Sequence, residues 1–287
     1  MYKKGIGITT DCICDLPLGI LEEYNIDMIY FHVATENGLF LDREEITADN
    51  VFEHMDNGGL RAEAQDPTVQ EYKEFFEEKL KEYEIIIHVS VSSKVGKAYS
   101  RAGQALEKLG NAGHRVKLFD SMQISTGIGL LALRAAEMRK AGMEASNIFK
   151  ELEIARKKVS VSFMLTDALY LYLNDKVKLR TVKWVSLFKI RPVIKVKDGC
   201  VKVSRIYIGN YAGCTRRYVK NVLRKIDSID KTRIFITNSK CNLTALALAK
   251  KEVKYRGEFK QVIINKTSGS LASEIGPNSF GILFIRK

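Results

Sequence analysis

A metal site or a nucleophile in this chain would have to be built from its five cysteines and four histidines. Cys12 and Cys14 form a Cys-x-Cys pair, but Cys200, Cys214 and Cys241 are scattered and give no second close pair to complete a four-ligand metal site. An odd, dispersed set also argues against a disulfide framework, so the simplest reading is small, reduced side chains. As a nucleophile, Cys12 or Cys14 would need a depressed thiol pKa at its strand end. His32, His54, His88 and His114 lie apart, without the spacing of a zinc motif or a serine hydrolase. His88 falls inside an apolar run and reads as a satisfied core histidine. Asp11, Asp15 and Asp120 are carboxylates with no visible partner for acid–base work. No GxGxxG and no GxxxxGK segment occurs. The sequence therefore offers no catalytic set, no metal site and no cofactor.

What it offers instead is hydroxyls at strand ends. Thr9-Thr10-Asp11-Cys12, Ser90 to Ser93, and Asp120-Ser121 each follow an apolar run. If those strands are parallel, the three junctions converge on one sheet edge, where helix N-termini present unpaired N–H groups. Hydroxyls and backbone N–H groups there suit an acidic or carboxylate head. The competing reading makes Ser92, Ser93 and Ser121 ordinary helix N-caps. Gly127-Ile128-Gly129 sits within an apolar helical pattern and reads as close helix packing. Gly276-Pro277-Asn278-Ser279 reads as a turn that could also bring backbone near a ligand.

The elements that must position these groups alternate. Strands are expected at Lys4 to Thr10, Asp27 to Val33, Glu84 to Val91 and Val116 to Phe119, with a hairpin turn at Glu36-Asn37-Gly38. Helices are expected at Leu16 to Asn25, from an N-cap at Thr47 through Met55, from Pro67 to Tyr83, from Ser92-Ser93 to Leu109 and from Asp120-Ser121 through Lys140, where Gly142 stops it, with a further helix ending near Lys158. Strands alternating with helices argue for a parallel sheet covered on both faces. The second half changes character. A strand at Ser160 to Leu165 and a short helix from Asp167 to Asp175 precede a hairpin of Arg191 to Val196 with Val201 to Ile208. Helices at Cys214 to Ile226 and Asn242 to Tyr255 then alternate with strands at Arg233 to Thr237, Gln261 to Asn265 and Phe280 to Ile285. The fold class is thus α/β, with a parallel-sheet N-terminal domain over 1–158 and an α+β C-terminal domain over 159–287.

Composition agrees with a folded chain: 287 residues, 46% hydrophobic, 28% charged and only four prolines. The net charge of +12 raises nucleic-acid binding, but the charges are spread over amphipathic helices without an arginine block or interleaved aromatics, which argues against it. The densest basic stretch, Lys176 to Arg191 and on to Lys202, fits transient attraction to an anionic membrane surface equally well. The start, MYKKGIGITTD, has no apolar run of signal-peptide type, and no stretch nears 18 apolar residues, so a cytoplasmic location is expected.

Taken in order, these junctions resemble the DegV family. Ile8-Thr9-Thr10-Asp11-Cys12-Ile13-Cys14-Asp15-Leu16-Pro17 resembles its opening TDSTxDLP, and Val91-Ser92-Ser93-Lys94-Val95-Gly96-Lys97-Ala98-Tyr99 resembles ISSxLSGTY. Phe119-Asp120-Ser121-Met122 with Gly127 to Gly142, Lys189-Ile190-Arg191-Pro192 with Asp198-Gly199, and Gly276-Pro277-Asn278-Ser279-Phe280-Gly281 match further motifs in the same order. The resemblance implies a two-domain lipid-binding protein that is not an enzyme. A long-chain fatty acid would have its tail in an apolar tunnel and its carboxylate between the domains. Some members serve as the acyl-binding subunit of a fatty acid kinase whose catalytic subunit is a separate protein. Against the family pattern, Ala64 replaces the carboxylate-binding threonine, Gly96 a serine, and Cys12-Ile13 a Ser-Thr pair. Lys176 stands for an arginine, Glu274 for a histidine, and Ile208 for an arginine near the kinase partner. The head contacts expected here are Ser92, Ser93, Lys97, Ser121 and Lys176, with Cys12, Ile13, Ala64, Gly96 and Glu274 completing the site.

Overall fold

A computed structural model of the chain describes residues 4–166, 170 and 189–287. The apolar runs become β1 (Lys4–Asp11), β2 (Ile26–Ile29), β6 (Tyr83–Ser90) and β7 (Val116–Asp120), a parallel sheet in the order β2-β1-β6-β7. Strands of such a sheet are covered on both faces, which is why β6 reads as an unbroken apolar run. A small antiparallel sheet, β4-β3-β5, stands beside it, built from β3 (His32–Thr35), β4 (Gly38–Leu41) and β5 (Ala62–Gln65).

The expected strand from Asp27 to Val33 is split between these two sheets. Phe31 gives its N–H to the Cys12 sulfur at 3.1 Å and its carbonyl to the Asp42 N–H at 2.9 Å, so its backbone is spent outside either ladder. The helices are α1 (Leu18–Glu23), α2 (Ala48–Asp56), α3 (Val69–Glu82), α4 (Ala98–Lys108), α5 (Thr126–Lys140) and α6 (Ala145–Arg156). Thr47 caps α2 as expected. For α3 the cap is Thr68, in a reciprocal capping box with Glu71, and Pro67 lies just before it rather than in the first turn. Neither Ser92 nor Ser93 opens α4, which begins at Ala98, and Ser121 does not cap α5, whose N-cap position is Ser125.

The C-terminal part is a mixed sheet in the order β10-β9-β8-β13-β11-β12. Its strands are β8 (Val159–Met164), β9 (Ile190–Lys197), β10 (Cys200–Ile208), β11 (Arg233–Ser239), β12 (Gln261–Lys266) and β13 (Ser279–Ile285). The β9–β10 turn uses Asp198 and Gly199 at φ 52° and 79°, the conformation that a two-residue hairpin turn demands. Among the described residues its helices are α7 (Tyr211–Val222), α8 (Leu243–Arg256) and the short α9 (Gly269–Ile275), which no periodicity indicates. The start of α7 lies before the expected Cys214 because Asn210 caps it. The short helix expected from Asp167 to Asp175 falls, apart from Tyr170, outside the described residues.

The two halves share a core through α5. This helix is buried nearly all round and packs between the parallel sheet and β8 and β13, as a helix without a polar face must. Its glycines permit that. A methyl on Gly127 would come within 2.4 Å of Val161, and one on Gly129 within 2.6 Å of Leu16. The resulting apolar cluster runs from Ile8, Ile87 and Phe119 through Leu131 to Phe163, Phe235 and Leu283. Each large side chain so buried contributes roughly 1.5–3 kcal/mol.

Candidate functional site

Because β1, β6 and β7 are parallel, their three polar junctions do meet at one sheet edge. Most of the polar groups there are already spent on one another. Asp11, fully buried, accepts from the Tyr72 hydroxyl at 2.9 Å, the Ser90 hydroxyl at 3.0 Å and the Val91 N–H at 2.7 Å, and faces His88 Nε2 at 3.2 Å. With Nε2 donating to Asp11, His88 Nδ1 accepts from the Thr9 hydroxyl at 2.9 Å. The result is a satisfied core network, closed to solvent.

The three serines are similarly engaged. Ser92 donates to the Gly199 carbonyl at 2.7 Å, joining the N-terminal part to the β9–β10 turn. Ser93 donates to Asp120 at 2.6 Å, and Ser121 accepts from the Gln123 N–H at 3.0 Å. Cys12 and Cys14 are buried in the turn after β1, beside the half-buried Ile13. Burial raises the Cys12 thiol well above its ordinary value and pushes that of Cys14 up to about 11. A nucleophile needs the opposite shift. Among the described residues, no group of three or more His, Cys, Asp or Glu could hold a metal ion.

Gly96 and Lys97, at the start of α4, stand against Asp66, which directly follows the β5 strand that carries Ala64. Ala64 pairs with Val33 in the small sheet. Lys97 is the N-cap residue of α4, with no side-chain cap of its own. Its N–H donates instead to the carboxylate of Asp66, at 2.7 Å. Gly96 makes room for that carboxylate, because a methyl at position 96 would lie 2.9 Å from one oxygen and 3.0 Å from the other. Arg101 fixes the segment by donating to the carbonyls of Asp66 at 2.7 Å and Pro67 at 3.1 Å. Asp66 was not among the residues expected from sequence, and its only signal was its place beside Pro67.

Glu274 is on α9, which packs against β5. The start of α9 is held by two buried carboxylates from the N-terminal part. Asp15 accepts from the Ser268 N–H at 2.7 Å, and Asp42 from the N–H groups of Gly269 at 2.7 Å and Ser270 at 2.9 Å. Burial pushes Asp15 up to about 6 despite hydrogen bonds from Ser125 and Ser268 and the nearby Arg43. Burial raises Asp42 as well, against the bonds from Ser270 and Gly269. A cavity of about 390 Å³ opens beside this contact, between Asp15, Pro17, Arg43, Asp49 and Lys266. Lys176 lies outside the described residues.

The family model described as "Uncharacterised protein, DegV family" matches residues 5–287. The chain belongs to the DegV family. Among DegV relatives, a DegV domain-containing protein of Clostridium perfringens is 28% identical over 79% of this chain and 78% of its own. A solved DegV-family structure from Thermus thermophilus, reported for its fatty acid binding, superposes with a TM-score of 0.88 at 22% identity, covering 99% of this chain and 100% of that one. A DegV-family structure from Ruminococcus gnavus, refined with vaccenic acid, gives a TM-score of 0.84 at 17% identity over 98% and 100% of the two chains. The DegV architecture, a parallel sheet followed by a mixed sheet, is therefore that of this chain.

Proposed function

We propose that this chain is a lipid-binding protein that holds a long-chain fatty acid, or an acyl lipid derived from one, between its two halves. What supports it most is the full-length match to family members reported with fatty acids. In this reading 1–158 and 159–287 act as two domains. The alkyl tail is sheltered from water between them, and the head lies between β5 and α4, near Ala64, Gly96, Lys97 and Glu274. Ser92, Ser93, Ser121, Cys12 and Ile13 shape the neighbouring edge, and Lys176 completes the head contacts.

Burial of the tail is worth about 0.8 kcal/mol per CH₂, whereas the two hydroxyls lost at Ala64 and Gly96 forfeit about 1–3 kcal/mol. A long tail therefore outweighs the missing anchors. The protein works in the cytoplasm without a catalytic step of its own. Where the bound head is a free carboxylate, a fatty acid kinase subunit is the partner. The exposed Arg216, Arg217, Lys220, Lys250, Lys251 and Lys254 of α7 and α8 favour transient contact with an anionic membrane surface, and nucleic acid is not a partner.

Extraction of the purified protein followed by mass spectrometry tests the reading, with reloading from long-chain lipids as the second step. Recovery of acyl species in stoichiometric amount is the expected result. Their reproducible absence, even after loading, would refute it. A second reading, a member that binds another ligand or works through protein contacts, is favoured by the altered residues Ala64, Gly96, Glu274 and Ile208. Failure to support acyl phosphorylation beside a kinase subunit would favour it.

A further inference from the structure

We infer that the outer edge of β2 is a docking groove for a partner protein, which adds an extended segment rich in lysine or arginine there as a further strand. The inference is independent of what the two halves hold between them.

β2 ends the parallel sheet. It pairs with β1 on one side and, among the described residues, with no strand on the other. Such an edge leaves alternate backbone N–H and C=O groups without ladder partners, a template for another strand. From Ile26 to Tyr30, no backbone bond beyond the β1 ladder is made to a described residue. Edges that avoid pairing carry lysine or proline. The opposite edge of this sheet, β7, carries the exposed Lys117, whereas β2, Ile-Asp-Met-Ile, has neither.

A groove of about 630 Å³ lies along this edge, bounded by α1, β2 and α3. Its lining sets Glu22, Asp27, Glu71, Glu74 and Glu78 against one lysine, Lys79. That lysine is spent on Asp27 at 3.0 Å and Glu78 at 3.4 Å. Glu71 faces His32 at 3.0 Å, and Glu74 takes the Gln70 amide at 2.7 Å. The surplus of negative charge stands out in a chain whose net charge is +12. Charge complementarity therefore selects a basic occupant.

Strand periodicity says where the charges of that occupant belong. Asp27 points to α3, where Lys79 holds it, so Met28 points to the opposite face of the sheet. On α3, Glu71, Glu74 and Glu78 stand at i, i+3 and i+7, one stripe of the helix. A right-handed crossover from β1 to β2 carries α1 on the Met28 face, where it offers Leu21 and the 54% exposed Leu18. An added strand that alternates basic and apolar residues sets the first against the α3 stripe and the second against Leu18, Leu21 and Met28.

The test uses the full chain and fluorescein-labelled heptapeptides, read by fluorescence anisotropy near physiological salt. The probe alternates lysine and valine. A glutamate–valine counterpart reverses the charge, and a lysine–proline counterpart keeps it but cannot form a ladder strand. The lysine–valine peptide should bind about tenfold more tightly than either counterpart. Glu74→Lys with Glu78→Lys, both at exposed helix positions, should weaken it about tenfold. Should that pair unfold the chain, Glu74→Gln with Glu78→Gln should give a smaller loss in the same direction. Equal binding of the lysine–proline peptide reduces the groove to an acidic patch and overturns the inference. So does an affinity unmoved by the substitutions, or no binding of the lysine–valine peptide at all. A chain that is dimeric in sedimentation and becomes monomeric on Glu74→Lys with Glu78→Lys gives the groove to a second copy, and likewise overturns it.

Discussion

Asp15→Asn removes the charge from a carboxylate that the fold buries completely at the start of α9. Asparagine suits the site in shape. Position 15 is left-handed, at φ 53°, a conformation asparagine tolerates, and its amide oxygen can still accept the Ser268 N–H. Burial raises the Asp15 carboxyl from 3.8 to about 6. An acid whose folded value lies above its unfolded one binds its proton more tightly in the native state. The stability it contributes is therefore complete below about pH 4 and is lost as the pH climbs to about 6. That span is worth roughly 3 kcal/mol at 1.36 kcal/mol per pH unit. Urea unfolding of both proteins at pH 4, 5, 6 and 7 measures it. The variant should gain about 3 kcal/mol relative to the wild type across that window, with little further change above it. Asp42 is raised in the same direction but is present in both proteins, so it cancels in the difference. A difference that stays flat from pH 4 to 7, or a wild type that gains on the variant as pH rises, would refute the assignment of a buried, reluctant charge.

Three further outcomes are expected. Gly129→Ala would place a methyl 2.6 Å from Leu16 and 2.9 Å from the Cys14 carbonyl, and should cost about 1–3 kcal/mol in denaturant unfolding, as overpacked cores do. Gly96→Ala should displace the Asp66 carboxylate from Lys97 and cost about 1–2 kcal/mol, a penalty that disappears in an Asp66→Ala background when the four proteins are compared as a cycle. In thiol labelling of the native protein, the partly exposed Cys200 should react first, with Cys12 and Cys14 protected until unfolding; early modification of Cys12 would contradict its burial.

Much of the fold was legible because its strands obey a simple rule. The β1, β6 and β7 segments are covered on both faces and so appear as apolar runs, and the Asp198-Gly199 turn advertises its hairpin. The rule fails where tertiary partners decide. No glycine, proline or turn residue interrupts the segment from Asp27 to Val33. The division between β2 and β3 comes from the Cys12 sulfur and Asp42 capturing the Phe31 backbone. The α9 segment, Gly-Ser-Leu-Ala-Ser-Glu-Ile, has no helical stripe, and its start is fixed by carboxylates from the other half of the chain. At the candidate site, the convergence of three junctions followed from parallel strands, but the fate of the hydroxyls did not. Ser93 reads like a helix cap and is instead taken by Asp120. Asp66 was invisible because its role depends on a glycine from a distant segment.

Asp66 on α4 and the pair Asp15 and Asp42 on α9 repeat one device, an internal carboxylate seated on a helix start. The α9 contact sets where Glu274 stands against β5, and β5 runs directly into Asp66. The wall of the proposed head position is thus built by charges the chain brings with it. A bound alkyl tail gains about 0.8 kcal/mol per CH₂ whatever its head, since that term depends only on apolar area removed from water. Affinity should therefore track chain length in wild type and Asp66 variants alike, with parallel slopes. Any effect of Asp66 should fall on the head and so be the same at every chain length. Slopes that diverge between the proteins would mean that Asp66 reshapes the tail's shelter, and the separation of head choice from tail affinity would not hold.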